Sequence, residues 1–285
     1  MVSGERIVRA NGVELCVETF GDAADPAVLL VHGASASMLW WEQELCERIA
    51  ARGRHVVRFD NRDTGRSASW PPGRPGYSLR DMTDDAIGVL DALGIERAHV
   101  AGRSMAGAIA AGAALRHRER VTALTLVSTS PGGPGLPPMS PEFVSFTGSG
   151  GPDPGDAAAV VDYVTGLMRV FSGPSPYFDE QAMRALAVRD VARAASIASC
   201  LANHFLIELD EDARLEAIDV PTCVVHGERD PVFPLPHAHA LRERIPGAEL
   251  LVLPRAGHEL PAPFWDTFAD TVAGRPPLAV GAPAG

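Results

Sequence analysis

The chain has 285 residues, a formal net charge of −11 at pH 7 and 46% hydrophobic residues, with a mean hydropathy of +0.04. That length suits one large α/β domain with ample material for a core. The acidic balance argues against nucleic acid or an anionic membrane surface as a partner, because both call for a basic patch.

The opening "MVSGERIVRA" has no apolar signal core, and no apolar run reaches the length of a membrane span, so a cytoplasmic protein is expected. Cys16, Cys46, Cys200 and Cys223 are scattered, with no C-x-x-C pair, so no metal site is expected. Cys16 and Cys223 fall in predicted strands and read as buried, inert thiols.

"RIVRANGVELCVETFG" holds two strand-like runs around Asn11-Gly12, a hairpin signal. "AVLLVHG" is a continuous apolar run, as in a strand buried on both faces. "LWWEQELCERIAARG" has helical spacing and ends at Gly53, and "HVVRFD" is the next strand. "SLRDMTDDAIGVLDALG" predicts a helix capped at Ser78 and stopped at Gly94. Then come the strand "AHVAG", the alanine-rich helix "MAGAIAAGAALRHRE" and the strand "VTALTLVST". Alternating strands and helices with short links mean βαβ units and a mostly parallel sheet.

The rhythm breaks over 131–219. A Pro/Gly/Ser-rich stretch leads into the helical patterns "AAAVVDYVTGLMRVF" and "RALAVRDVARAASIASCLANHFLIEL". This insertion starts at the C-terminal end of a strand, where ligands bind in open α/β sheets, and reads as a cap over a site. The core, 1–130, resumes over 220–275 with the strand "TCVVHG", a helix near 237–245, the strand "AELLVLP" and a last helix near 264–273. The Pro/Gly/Ala-rich tail, 276–285, reads as flexible.

Three chemical groups fall at C-terminal strand ends. Ser104 follows "AHVAG", Asp230 follows "TCVVHG", and His258 follows "ELLVLP". Their chain order, Ser…Asp…His, is that of α/β-hydrolases. A serine hydroxyl is a poor nucleophile unless a base such as His258 takes its proton and later gives it to the leaving group. Asp230 would hold the imidazole tautomer and stabilise the imidazolium. The oxyanion needs preorganised donors, and the backbone N–H groups of Met105 and Ala34 are the candidates.

Other residues weigh less. His237 and His239 follow Asp230 too soon, in a predicted helix, and read as surface residues. His32 and His226 read as makers of structural hydrogen bonds. Glu228 and Glu259 rank below Asp230, and the strand ending "LVSTS" carries no acid. The turn reads Gly102-Arg103-Ser104-Met105-Ala106, with alanine where G-x-S-x-G has glycine. A strained turn needs small neighbours, and alanine adds only one methyl, so the elbow should survive.

The stretches "FGDAADPAVLLV", "FDNRDTGRSAS", "RAHVAGRSM", "ERDPVFPLPHAHAL" and "PGAELLVLPRAGHELP" resemble the α/β-hydrolase superfamily. More narrowly they resemble the aclacinomycin-type methylesterases, which remove a methyl ester from an anthracycline polyketide. In "NRDTGRS", Asp63 stands where many relatives have glycine. Non-haem haloperoxidase-like hydrolases share the same triad. The resemblance implies a helical cap over a hydrophobic pocket and catalysis by Ser104, Asp230 and His258.

The combined expectation is an α/β-hydrolase cleaving a carboxylic ester through an acyl-enzyme, with an apolar small-molecule ester as substrate, a methyl ester of a polyketide-like compound being what the resemblance implies, and neither metal nor organic cofactor. Phe143, Phe146, Met168, Phe171, Tyr177 and Phe178 are candidate pocket residues, or else the cap's own core. Two rivals remain at this level. One is a lactone-forming or cyclising enzyme, the other a ligand-binding protein that keeps the hydrolase fold.

Overall fold

The computed structural model describes residues 3–208 and 214–274. The 276–285 tail lies outside the described residues. Strands β1 (Ser3–Ala10) and β2 (Val13–Phe20) form an antiparallel hairpin. Its turn residues Asn11 and Gly12 both have positive φ, as a two-residue turn matched to the strand twist requires. The βα alternation then follows: β3 (Ala27–Val31), α1 (Gln43–Ala50), β4 (His55–Phe59), α2 (Leu79–Ala92), β5 (Ala98–Arg103), α3 (Ala106–Arg116) and β6 (Val121–Val127). After it come α4 (Pro141–Gly148), α5 (Ala157–Ser172), α6 (Glu180–Arg193) and α7 (Ile197–Ala202). The core closes with β7 (Thr222–Gly227), α8 (Pro236–Arg244), β8 (Glu249–Leu253) and α9 (Trp265–Val272).

Among the described residues these strands form one eight-stranded sheet in the order β1-β2-β4-β3-β5-β6-β7-β8. The pairs β1/β2 and β2/β4 are antiparallel and the rest parallel. β3 and β4 are buried along their whole length, the consequence of apolar layers on both faces. One layer packs α2, α3 and α8 against the sheet around Leu29, Val100, Ile109 and Leu241. The other packs α1 and α9 around Leu30, Ile49, Phe264 and Phe268. The strand order reverses between β3 and β5, and the carboxyl edge at such a switch point is where ligands bind in open α/β sheets.

The boundaries show where local signals gave way. α1 starts at Gln43, four residues after the predicted onset, because Met38–Trp40 form a buried 3-10 turn capped by Ser37. α2 carries the expected cap at Ser78, closed into a reciprocal box with Asp81. The predicted helical run over 184–209 breaks at Ala194, which is extended, and restarts where Ser196 caps α7. α4 lies inside the Pro/Gly/Ser-rich stretch, where the sequence reading placed no helix. Its signal was present in Ser140 followed by Pro141, an N-cap and a first-turn proline.

The helices between β6 and β7 are tied to the core by buried polar bonds. Arg193 of α6 donates to both oxygens of Asp60, at 3.0 and 2.8 Å. Trp40 Nε1 donates to Asp190 of α6 at 2.7 Å. Asn203 donates to Asp63 at 2.8 Å. Asp63 is buried, has positive φ, and also accepts from Tyr77 and from the N–H of Trp70. A glycine there would supply the backbone angle but not this carboxylate.

Candidate active site

Ser104 is at the carboxyl end of β5, one residue past its last strand position. Its φ is +55, in the left-handed region that non-glycine residues avoid. Hydrogen bonds on both sides hold that strained angle. Its N–H donates to Val127 O at 2.9 Å, and its carbonyl accepts from Gly107 N at 2.9 Å and Thr129 Oγ1 at 2.7 Å. Small neighbours are required here. A Cβ on Gly102 would collide with the carbonyl of Ala106. Ala106 itself is fully buried, and the turn keeps its strained angle with alanine in that place.

His258 and Asp230 meet across the loops after β8 and β7. His258 Nδ1 donates to Asp230 Oδ2 at 2.8 Å, and both residues are buried. Asp230 Oδ1 accepts from the N–H groups of Val232 and Phe233 at 2.8 and 2.9 Å. Burial alone would raise the Asp230 pKa, but the His258 charge and these hydrogen bonds outweigh it and hold the carboxyl below its usual value. With Nδ1 committed to Asp230, Nε2 is the nitrogen left for chemistry. It is buried and has no hydrogen-bond partner among the described residues.

The loop after β3, 32–35, lies against the elbow. A Cβ on Gly33 would stand 2.9 Å from Ser104 Cβ and 3.5 Å from Met105 N. This contact places the loop that carries Ala34 against the Ser104 turn. Among the described residues no protein acceptor takes the N–H of Ala34 or of Met105. Backbone donors without protein acceptors, one next to Ser104 in sequence and one in the loop packed against it, are the kind of group an oxyanion requires.

The sequence pattern of the family described as serine aminopeptidase, S33 (Hydrolase_4) matches residues 22–262. The chain belongs to this family. The hydrolase is 29% identical to the rhodomycin D methylesterase DauP of Streptomyces sp. strain C5, covering 94% of this chain and 96% of that one. It is 28% identical to the rhodomycin D methylesterase DnrP of Streptomyces peucetius over the same shares. Among solved structures, a hydrolase from Pseudomonas aeruginosa PA01 superimposes with a TM-score of 0.73 at 25% identity, covering 95% of this chain and 98% of that one. The fold is the α/β-hydrolase fold, and the chain is a carboxylic ester hydrolase of the serine class.

The other histidines of the hydrolase sort by their partners. His226 Nε2 donates to Phe233 O at 2.7 Å, the structural role expected of it. The ring of His32 corrects the expectation. Both its nitrogens are buried and without hydrogen-bond partners among the described residues, and the ring packs edge-on against Trp41. Burial, with Arg103 and His258 nearby, keeps its pKa well below the ordinary value. His237 is a second correction, because it is buried rather than on the surface. It accepts from Ser130 Oγ at 2.7 Å and donates to Pro137 O at 2.9 Å, tying the chain just after β6 to α8. His239 is exposed. Glu228 accepts from Arg255 N and Glu259 from Gly257 N, while neither bonds His258.

The candidate pocket residues divide. Phe171 stacks on the His258 ring with centroids 5.0 Å apart, and Phe143 stacks on Phe171 at 5.2 Å. Met168 packs near Ala36, Leu39 and Trp40, on the side of the β3 loop. The other three have partners elsewhere. Phe146 stacks on Tyr163, Tyr177 meets Phe264 edge-on, and Phe178 lies under the Arg169 guanidinium.

Sequence reasoning missed three neighbours. Arg103 donates to His258 O at 3.0 Å, and its place beside the serine in "GRSM" was a usable signal. Phe233 lies 5.7 Å from the His258 ring. Asn61 donates to His32 O at 2.8 Å and steadies the β3 loop. The buried thiols of Cys16 and Cys46 are pushed up to about 12, chiefly by burial, as is the partly exposed Cys223. Among the described residues no cluster of three His, Cys, Asp or Glu side chains could hold a metal ion, and no helix is long and apolar enough to cross a membrane.

Proposed function

We propose that Ser104, His258 and Asp230 form the catalytic triad, with the N–H groups of Ala34 and Met105 as the oxyanion hole. The observation that carries this reading is the buried 2.8 Å His258–Asp230 bond, which leaves Nε2 free at the edge where the strained Ser104 turn ends β5. Ser104 Oγ attacks the ester carbonyl as His258 Nε2 takes its proton. The tetrahedral intermediate collapses, His258 returns the proton to the departing alkoxide, and an acyl-serine remains. Water then repeats the sequence, releasing the acid and restoring Ser104.

The substrate we propose is a methyl ester carried on a polycyclic aromatic polyketide, releasing methanol. Relatives that act on rhodomycin D support this, as does the ladder of Phe143, Phe171 and His258 rings, which offers flat apolar surface beside the candidate base. The 131–219 segment serves as the cap that selects such a substrate. A cytoplasmic location is in keeping with cysteines that are all free.

The test pairs a fluorophosphonate probe with an ester panel spanning short p-nitrophenyl esters and anthracycline-type methyl esters. Labelling at Ser104 alone, loss of turnover in Ser104→Ala, and kcat/KM highest on the polycyclic methyl esters are expected. Unchanged turnover in Ser104→Ala would overturn the triad. Stoichiometric labelling without turnover on any ester would favour a ligand-binding protein.

A further inference from the structure

The β3 loop that offers Ala34 is held from two sides. Asn61 fixes its start through His32 O. Its far end is fixed by a residue 169 positions away, since Ser35 N–H donates to His204 Nδ1 at 3.0 Å. His204 lies in the 3-10 turn Asn203–Phe205 that follows α7. Its other nitrogen, Nε2, is 2.7 Å from Arg62 O. A carbonyl oxygen can only accept, so Nε2 carries the proton. A backbone N–H can only donate, so Nδ1 is bare. The two bonds specify one neutral tautomer, and burial, which keeps the His204 pKa below its ordinary value, opposes a second proton.

Ser35 has φ +54, a strained angle that persists only when its surroundings fix it. Without an acceptor for its N–H, the peptide planes on either side of Ser35 could rotate, carrying Ala34 with them. The adjoining Asn203 is anchored as well. It donates to Asp63, and its Oδ1 accepts from Gly73 N at 2.8 Å. The turn that carries His204 is thus a fixed point, and the loop is the part that leans on it.

We infer that His204 is a positioning residue for ester hydrolysis: through Ser35 it holds the Ala34 N–H toward the oxyanion formed at Ser104. The inference rests on the assignment of Ala34 and Ser104 proposed above. It gives the segment between β6 and β7 a share in kcat as well as in substrate choice.

Two near-isosteres separate the bonds. His204→Asn keeps an oxygen close to the Nδ1 position and gives up the Arg62 bond. His204→Gln keeps a donor close to the Nε2 position and gives up the acceptor for Ser35. With p-nitrophenyl acetate, His204→Gln is expected to lower kcat about 10- to 100-fold, less than or equal to the loss of a whole oxyanion donor. Its KM should stay within about threefold, and its affinity for a boronic acid that forms a tetrahedral adduct should fall in parallel. His204→Asn should keep kcat within about fivefold of wild type.

Wild-type kcat in His204→Gln, equal losses in both variants, or a loss confined to KM would each overturn the inference. Ser104→Ala is assayed alongside. If it stays active, the triad reading itself fails. If it is dead while His204→Gln is unimpaired, only the role of His204 fails. Nitrogen-15 NMR of the wild-type imidazole provides a readout independent of variant folding. A bare Nδ1 and a protonated Nε2 are expected, and a protonated Nδ1 overturns the inference.

Discussion

Gly107→Ala tests the geometry on which the Ser104 turn depends. Gly107 is the glycine that arrives one place late in "GRSMAG", in the first turn of α3. A Cβ there would stand 2.5 Å from Thr129 Cγ2 and 2.6 Å from Thr129 Cβ, closer than real carbon contacts allow. Thr129 is buried and β-branched, so it cannot swing aside cheaply. Its hydroxyl also donates to Ser104 O at 2.7 Å. Overpacking costs about 1–3 kcal/mol. Losing the Thr129–Ser104 bond adds about 1 kcal/mol, and the better helix propensity of alanine returns about 1 kcal/mol. The net expectation is a loss of about 1–3 kcal/mol, a fall in Tm of about 2–5 °C for a chain of this size. Because the displaced threonine bonds the carbonyl of Ser104, the proposed nucleophile, kcat on p-nitrophenyl acetate should fall about tenfold or more. Thermal melts and initial rates for Gly107→Ala, Thr129→Ala and the double variant check this. A coupling of at least about 1 kcal/mol is expected between the two sites. A Gly107→Ala protein with wild-type Tm and kcat would show that α3 does not press on Thr129, and the packing account of the elbow would fall.

Asp230→Asn should leave the fold intact and lower kcat by about 10³-fold or more, measured by steady-state rates, because the imidazole loses the partner that fixes its tautomer. Glu228→Gln should stay within about twofold, and the reverse result would reassign the acid. Phe171→Ala should shift the ratio of kcat/KM between bulky and short esters by at least about fivefold, since its ring stacks on His258. Phe178→Ala should leave that ratio unchanged and cost about 0.5–1 kcal/mol of stability with its cation–π contact. Glu42 is pushed up to about 7, chiefly by burial, with Arg103 as a partial counter-charge. For a carboxyl raised in the folded state, stability is full below the unfolded pKa of about 4.5 and declines as pH rises to about 7. Glu42→Gln should therefore match wild type near pH 4.5 and exceed it by about 1–3 kcal/mol at pH 8. Melting curves across that range check the sign, and a wild-type advantage at pH 8 would contradict it.

The sequence determined the strand-and-helix alternation and the three candidate chemical residues, because both are local signals. Runs such as "AVLLV" are apolar throughout because both faces of the parallel sheet are covered, and Ser78 caps its helix within three residues of itself. Ser104, Asp230 and His258 were legible because each lies in the turn or loop just past the carboxyl end of a strand, and parallel strands end at one edge. The tertiary structure alone decided the rest. His204 reaches Ser35 across 169 positions, and His237 reaches Ser130 across 107, so no local spacing marks either. His32 looks like any strand-end histidine until packing leaves its ring without a partner. Phe171 and Phe178 are equally apolar in sequence, but one stacks on His258 and the other lies under Arg169. Hydrophobicity specifies that a ring is buried; which neighbour it meets depends on how separate helices dock, and that is set by the shape of the assembled layers.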